Sequence, residues 1–571
     1  MKRRDFLFLV PVAAALGRSV CANVLGESQV PLFSEAAAEV GLKFHHFGGI
    51  TGEHFMPEIM GSGVALFDYD NDGALDIFLI QGTVLDPGKQ LLCPLPTGWK
   101  SGNRLFHNEL MRTGRLKFTD VTEKAGLTST EYGMGAATGD YDNDGLLDLF
   151  VTNFGRSILY HNNGDGTFTD VTPQSGIENT GWGTSASWID YDNDGNLDLF
   201  VANYLDFTVK ANKRCYTPTG QFEYCTPKMY RPMSARLFHN LGNGKFVDVT
   251  EESGIGVSPG PGLGVVCADF NDDGWMDIFV ANDGSANYLW LNQKNGTFKE
   301  AGLASGVAYN GEGAPQGSMG IALGDISNRG VEDLLVTNLT KEGSALYRRD
   351  GKGTFYEATS EFGLWEPTFP YTGFGTQWFD YDNDGFLDLF ITNGAVTRVE
   401  SLSSSRFPYS QTNQLFHNEN GKRFRETSHL AGPAFRLSGV GRGAAFGDIN
   451  NDGNIDVVVT NNNGPVRVLL NENKKLNANH WVQIRLEQPR RNVYALGARV
   501  EVLQKTRKLL RRVRTDSSYL SSSDVRVHFG LGDDPKIDLV VVHWPDGFAE
   551  SWDNVAADTI ITLRRATGRP L

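Results

Sequence analysis

The run Asp68-Tyr69-Asp70-Asn71-Asp72-Gly73-Ala74-Leu75-Asp76 constrains what this chain can fold into more than any other stretch, because it recurs. Carboxylates stand at positions 1, 3, 5 and 9, with glycine at position 6. Alternate side chains at 1, 3 and 5 converge on one point, glycine allows the sharp turn, and position 7 offers a backbone carbonyl. The position-9 acid closes a shell of hard oxygen donors that suits calcium. Apolar runs at residues 64–67 and 77–80 flank the loop, so it joins two buried strands, unlike a helix-loop-helix site.

Further copies place Asp140, Asp142, Asp144 and Asp148, then Asp190, Asp192, Asp194 and Asp198, then Asp269, Asn271, Asp273 and Asp277 at the same positions. Two more supply Asp380, Asp382, Asp384 and Asp388, and Asp448, Asn450, Asp452 and Asp456. These six loops are expected to hold about six Ca2+ ions. The remaining loop, Asp325 to Asp333, has Arg329 at position 5, whose charge fills the hole, and is expected to be empty. Chance acidity does not keep register through seven copies.

Each loop sits in a longer unit of four short strands. From Gly133 the unit runs through a glycine-studded strand, the acidic loop, a second strand, a third ending His161-Asn162, and a fourth, Thr167 to Thr172. Four antiparallel strands per repeat, with glycines where first strands crowd an axis, predict a seven-bladed β-propeller over residues 30–475. Fourth-strand signatures recur at Phe118, Phe168, Phe246, Phe298, Phe355 and Phe424. The seventh is Leu32-Phe33-Ser34-Glu35, ahead of the first loop, so the ring is expected to close by pairing its two ends. His107, His161, His239 and His417 occupy one place in four different blades and read as structural repeats.

Strand direction puts the acidic loops on one face and the long insertions, residues 82–103, 205–235 and 396–413, on the other. The insertions carry Trp99, Tyr216, Tyr224, Tyr230, Phe407 and Tyr409, and long aromatic loops on a rigid scaffold suit ligand binding. After Asn479 the repeat stops. Alternating strands over residues 480–566 predict a separate small β-sandwich or barrel. Its basic cluster, Lys505, Arg507, Lys508, Arg511, Arg512 and Arg514, faces either water or the acidic ring, with polyanion binding as the alternative.

The formal net charge of −16 argues against nucleic acid as a partner. Residues 1–22 read as an export signal, with a twin-arginine-like start at Lys2-Arg3-Arg4, an apolar run too short to span a bilayer, and cleavage after Ala22. Lipidation at Cys21 is the alternative, after the poor lipobox residue Val20. With no transmembrane segment, the protein is expected in the periplasm, on the cell surface or secreted, surface association included. Cys215 and Cys225 are close enough in sequence for a disulfide in an oxidising compartment, whereas Cys267 reads as a buried thiol.

The repeat Gly-x-Gly-x-Ala-x-x-Asp-Tyr-Asp-Asn-Asp-Gly-x-x-Asp-Leu-Phe resembles the FG-GAP (VCBS-type) repeats of integrin α-subunit propellers. Gly497-Ala-Arg-Val, His528-Phe-Gly-Leu-Gly532 and Val542-His-Trp-Pro-Asp-Gly547 resemble the ASPIC/UnbV domain. Together they are similar to the cartilage acidic protein family. The resemblance implies an all-β, seven-bladed, calcium-binding, exported propeller. Beside it, the leading expectation for the chain is a recognition or adhesion scaffold that binds an extracellular protein or glycan on the face opposite the metals. The turn Asn492-Val-Tyr-Ala-Leu departs from the more polar, glycine-containing turn of that family. The alternative is an extracellular polysaccharide lyase or hydrolase using the propeller funnel. It would need Glu58, Glu312 or His46 to converge as acid and base, and no constellation of that kind is visible in the sequence.

Overall fold

A computed structural model describes residues 31–571 apart from 352, 400, 402–407, 474–477 and 506. The export signal expected at residues 1–22 lies outside the described residues. Among those described, seven sheets have four strands each, one sheet per acidic loop. The repeat containing Asp140 shows the plan: Tyr132–Gly139, Asp148–Phe154, Ile158–Asn162 and Phe168–Asp170 pair in sequence order, all antiparallel. First strands of successive sheets lie against one another, and the circuit closes where Gly441–Gly447 meets Val64–Phe67. This is a β-propeller. The glycines of the first strands allow that crowding: a Cβ on Gly139 would stand 2.6 Å from the Trp188 ring of the next sheet.

The ring closes with both ends of the propeller sequence in one sheet. Phe33–Glu35 pairs antiparallel with Arg467–Asn471, as Phe33 to Asn471 and Glu35 to Leu469. Phe33 is fully buried against Tyr381 and Phe435, so the edge left by the missing fourth strand is covered.

The insertions turn partly inward. Tyr224 and Tyr409 are buried in a cluster with Phe55, Met56, Trp182 and Tyr204, and Cys225 joins Cys215 with Cα atoms 5.2 Å apart. Trp99 and Tyr216 remain exposed, Tyr230 is half-buried, and Phe407 lies outside the described residues. The aromatics expected to suit ligand binding are thus divided, because the Tyr224 and Tyr409 hydroxyls find Glu58 and Glu223 as partners in the interior.

The C-terminal strands form two sheets sharing one core. Val527–Gly532, His480–Glu487 and Thr559–Arg564 make a three-stranded sheet whose last pair is parallel. Arg507–Arg512, Arg499–Gln504, Leu539–His543, Ala549–Trp552 and Arg569–Pro570 make the other. Val482, Ile484, Val500, Val540, Phe529 and Trp544 pack between them. The module is not self-contained, since residues 515–524 leave it and enter the axis of the ring. There the segment hydrogen-bonds to the first strand of every blade. The Leu520 carbonyl accepts from Ala136 N, the Ser522 carbonyl from Leu66 N, and the Ser518 carbonyl from Ile321 N. Asp524 N donates to the Phe446 carbonyl, Asp516 Oδ2 accepts from Cys267 N, and Ser185 and Thr376 bond to Leu520 N and Ser518 Oγ. A serine-rich stretch can fill an axis because each inner strand satisfies its polar groups.

Candidate metal loops and the module that covers them

Backbone conformation fixes every loop in the same shape. Position 4 is left-handed in all seven, with φ of 51–63°, and the glycine at position 6 has φ of 78–97°. Asn or Asp tolerates the first and glycine the second. In the first loop Asp68 accepts from Asp72 N and Gly73 N, both at 3.0 Å, and Asp72 Oδ1 accepts from Ala74 N at 2.8 Å. Asp76 accepts from Tyr69 N at 3.1 Å and from Asn108 N at 2.8 Å. These bonds aim the carboxylates inward, and ligand oxygens of Asp68, Asp70 and Asp76 lie within 4.8 Å of one another.

Such packing is costly without a cation. Burial, reinforced by neighbouring carboxylates, pushes Asp76, Asp140, Asp148, Asp190 and Asp277 up to about 7. The same causes push Asp68, Asp198 and Asp448 up to about 6. Oδ1 of Asp190, a residue only 8% exposed, has no hydrogen-bond partner. Hard anionic oxygens held together with an orphaned lone pair fit an alkaline-earth ion.

The loops are also tied to one another. Asn71 Nδ2 donates to the Gly145 carbonyl of the next loop, and Asn451 Nδ2 to Gly73, both at 3.0 Å, so the chain of contacts crosses the closure. A buried asparagine at the end of each regular third strand adds a second tie. Asn162 Nδ2 bonds the Leu147 carbonyl of its own loop at 3.1 Å and Tyr69 of the preceding loop at 2.7 Å. Asn108, Asn240, Asn292, Asn418 and Asn471 make the same pair of bonds.

The fifth loop differs. Arg329 Nη2 lies 2.8 Å from Asp333, and Arg348 Nε lies 3.5 Å from it. Arg349 replaces the usual asparagine and reaches Asp272 of the preceding loop at 2.7 Å. Position 8 of this loop is Glu332, which takes Arg512 at 2.9 Å and Arg514 at 2.7 Å from the C-terminal module. The basic cluster therefore divides by partner: Arg507, Arg512 and Arg514 meet the ring, Arg511 lies over Phe529 of its own module, and Lys505 and Lys508 stay at the surface.

The rest of the module covers the acidic loops. Gln483 Nε2 donates to Asp448 Oδ2 at 2.7 Å, Arg507 to the Asp384 carbonyl at 2.8 Å, and Arg526 to Asn451 at 3.0 Å. The departing turn also docks here, since Tyr494 Oη reaches the Gly145 carbonyl at 3.0 Å and Asn492 N donates to Asn143 Oδ1 at 2.5 Å. The acid–base candidates do not meet. Glu58 is buried against Thr51 and Tyr224 and is pushed up to about 7 by burial, His46 accepts from Asn463 N, and Glu312 is exposed.

Comparison with known proteins agrees with this geometry. A family model for FG-GAP-like repeats matches residues 140–201, 229–280, 269–336, 328–391 and 402–459. A second, ASPIC and UnbV, matches residues 488–570. The chain is an FG-GAP-repeat protein with an ASPIC/UnbV domain. Its first acidic loop, residues 68–76, precedes the matched repeats yet has the same backbone and bonds. Cartilage acidic protein 1 of Homo sapiens is 29% identical over 310 residues, 52% of this chain and 43% of that protein. The Xenopus tropicalis protein of that name is 28% identical over 318 residues, 54% of this chain and 45% of its own. The chain thus spans a little under half the length of the curated relatives it matches. Among solved structures, an Agrocybe aegerita lectin that recognises non-reducing terminal N-acetylglucosamine aligns at TM-score 0.37 and 13% identity, over 71% of this chain and 87% of that one. BBS1N in complex with ARL6DN aligns at TM-score 0.38 and 9% identity, over 72% and 94%. Scores this low transfer neither ligand nor mechanism.

The third-strand asparagines, the histidines beside them and Glu332 contact the acidic loops or the C-terminal module in ways that the loop pattern alone does not reveal. The signal for the first two was their constant place in the blade, the histidines in four blades and the asparagines in six.

Proposed function

We propose that the chain is an exported scaffold that binds a protein or glycan on its insertion face, with Ca2+ in about six acidic loops holding the ring. The observation that carries this reading is the placement of the C-terminal module. It roofs the acidic-loop face and fills the axis with residues 515–524, which leaves the insertion face as the broad surface available to a partner. That face keeps Tyr216 at 60% and Trp99 at 36% exposure, beside the loop joined through Cys215 and Cys225. Exposed aromatics on a braced loop suit recognition. The disulfide fits an oxidising compartment, and no helix among the described residues is long and apolar enough to cross a membrane. Glycan and cell-surface arrays probed with the full chain, with and without about 1 mM Ca2+, test the proposal. Binding that weakens in Tyr216→Ala and Trp99→Ala supports it; binding indifferent to both variants, or absent from every array, overturns it.

A further inference from the structure

The acidic loops are not equivalent, and their differences are correlated. The residue just before the third-strand asparagine is His107, His161, His239 or His417 in four blades, Leu291 and Leu470 in two, and Arg348 in the fifth-loop blade. Where it is histidine, position 3 is aspartate (Asp70, Asp142, Asp192, Asp382) and position 2 is tyrosine. Where it is leucine, position 3 is Asn271 or Asn450 and position 2 is Phe270 or Ile449. Where it is Arg348, positions 2, 3 and 5 are Ile326, Ser327 and Arg329.

The geometry ties each histidine to its own loop. His107 Nδ1 lies 3.2 Å from Asp76 and 3.6 Å from Asp70. His161 Nδ1 lies 3.3 Å from Asp148 and 3.2 Å from Asp142. His239 Nδ1 lies 3.1 Å from Asp198 and 3.5 Å from Asp192, and His417 Nδ1 3.2 Å from Asp388 and 3.5 Å from Asp382. Two donor atoms at right angles around an ion with bonds of about 2.1–2.3 Å stand roughly 3.0–3.3 Å apart. The His161 nitrogen is at neighbouring-ligand distance from both carboxylates, and the other three are at that distance from the position-9 carboxylate, with the position-3 carboxylate slightly farther at 3.5–3.6 Å. The tyrosine of position 2 meets each ring edge-on, with centroids 5.9–6.2 Å apart, which fixes the plane of the imidazole. Nδ1 of His107 and His239 is hydrogen-bonded to Asp76 and Asp198, whereas the buried Nδ1 of His161 and His417 has no aligned hydrogen-bond partner, and neither has Oδ1 of Asp190, a residue nine-tenths buried in the His239 loop.

We infer that loops 68–76, 140–148, 190–198 and 380–388 bind a divalent ion through imidazole nitrogen together with carboxylate oxygen, and so accept transition ions such as Mn2+ or Zn2+. Loops 269–277 and 448–456 offer oxygen alone and are confined to Ca2+-like ions, because imidazole suits borderline metals and carboxylates hard ones. The inference rests on the reading of the loops as cation sites and adds the ligand that divides them.

Full-length protein stripped with a chelator and reloaded with Mn2+ alone tests it by pulsed EPR. Bound Mn2+ should show 14N coupling, and His161→Leu should reduce the coupled fraction by about a quarter. The combined variant H107L/H161L/H239L/H417L, which copies Leu291 and Leu470, should abolish the coupling. It should also weaken Mn2+ binding about tenfold or more while Ca2+ binding changes less than about twofold. Should the combined variant not fold, the wild-type spectrum and the single variant still decide the matter. Mn2+ bound without nitrogen coupling overturns the inference and leaves the histidines as partners of the carboxylates. Failure to bind either Mn2+ or Ca2+ overturns the cation reading itself.

Discussion

Replacing Glu332 with Gln tests whether the C-terminal module is locked to the ring through the altered fifth loop. Burial pushes this carboxyl up, and the Arg512 and Arg514 guanidiniums overcome that, holding it at about 2 against an ordinary 4.5. The difference corresponds to about 3 kcal/mol of native-state stabilisation. Because the folded-state value is depressed, the contribution is complete above pH 4.5 and is lost as pH falls from 4.5 toward 2. Glu332→Gln leaves two largely buried guanidiniums without their carboxylate, so the loss at pH 7 should be about 3–5 kcal/mol. Urea unfolding at pH 7 and at pH 3, followed by tryptophan fluorescence, measures both effects. The gap between wild type and variant should be widest at pH 7 and narrow at pH 3. A gap under about 0.5 kcal/mol at pH 7, the size of an exposed surface pair, would refute the reasoning.

Three further perturbations probe the ring. Phe33→Ala empties a fully buried site at the closure and should cost about 3–5 kcal/mol in the same unfolding assay. Asn162→Ala leaves the Tyr69 and Leu147 carbonyls unsatisfied between two blades and should cost about 2–4 kcal/mol. Gly63→Ala would set a Cβ 1.7 Å from the Leu520 carbonyl oxygen. It should therefore displace residues 515–524 from the axis, visible as faster amide exchange there, with the acidic loops protected as before.

The acidic loops were legible in the sequence because their information is local: left-handed Asn at position 4, glycine at 6 and acids in fixed register. The closure was legible for a similar reason, since a missing fourth strand at one end matched a surplus strand at the other. What the sequence hid depends on contacts between distant segments. His107 meets Asp76 across 31 residues, so its constant place in the blade marked it as repeated without showing what it touches. Residues 515–524 carry the composition of a solvated serine-rich linker, yet each inner strand supplies a partner that only the assembled ring presents. Tyr224 and Tyr409 looked like ligand-binding aromatics on long insertions, but their hydroxyls bond Glu58 and Glu223 in the interior. The basic cluster was open to water or to the acidic ring, and the pairing of Arg512 and Arg514 with Glu332 was hidden because Glu332 lies in the one loop that departs from the acidic pattern.

On the proposed reading, divalent cations held one to each aspartate loop stabilise the ring that the paired chain ends close. Elemental analysis of the full-length protein equilibrated with about 2 mM Ca2+, paired with unfolding in the same buffer and in excess chelator, tests it most directly. With site constants of roughly 0.1–1 mM, six filled loops should add about 4–10 kcal/mol of stability. The account predicts about six alkaline-earth ions per chain and a stability loss of that size on chelation. A protein that retains no such ions and unfolds identically in both conditions would contradict it.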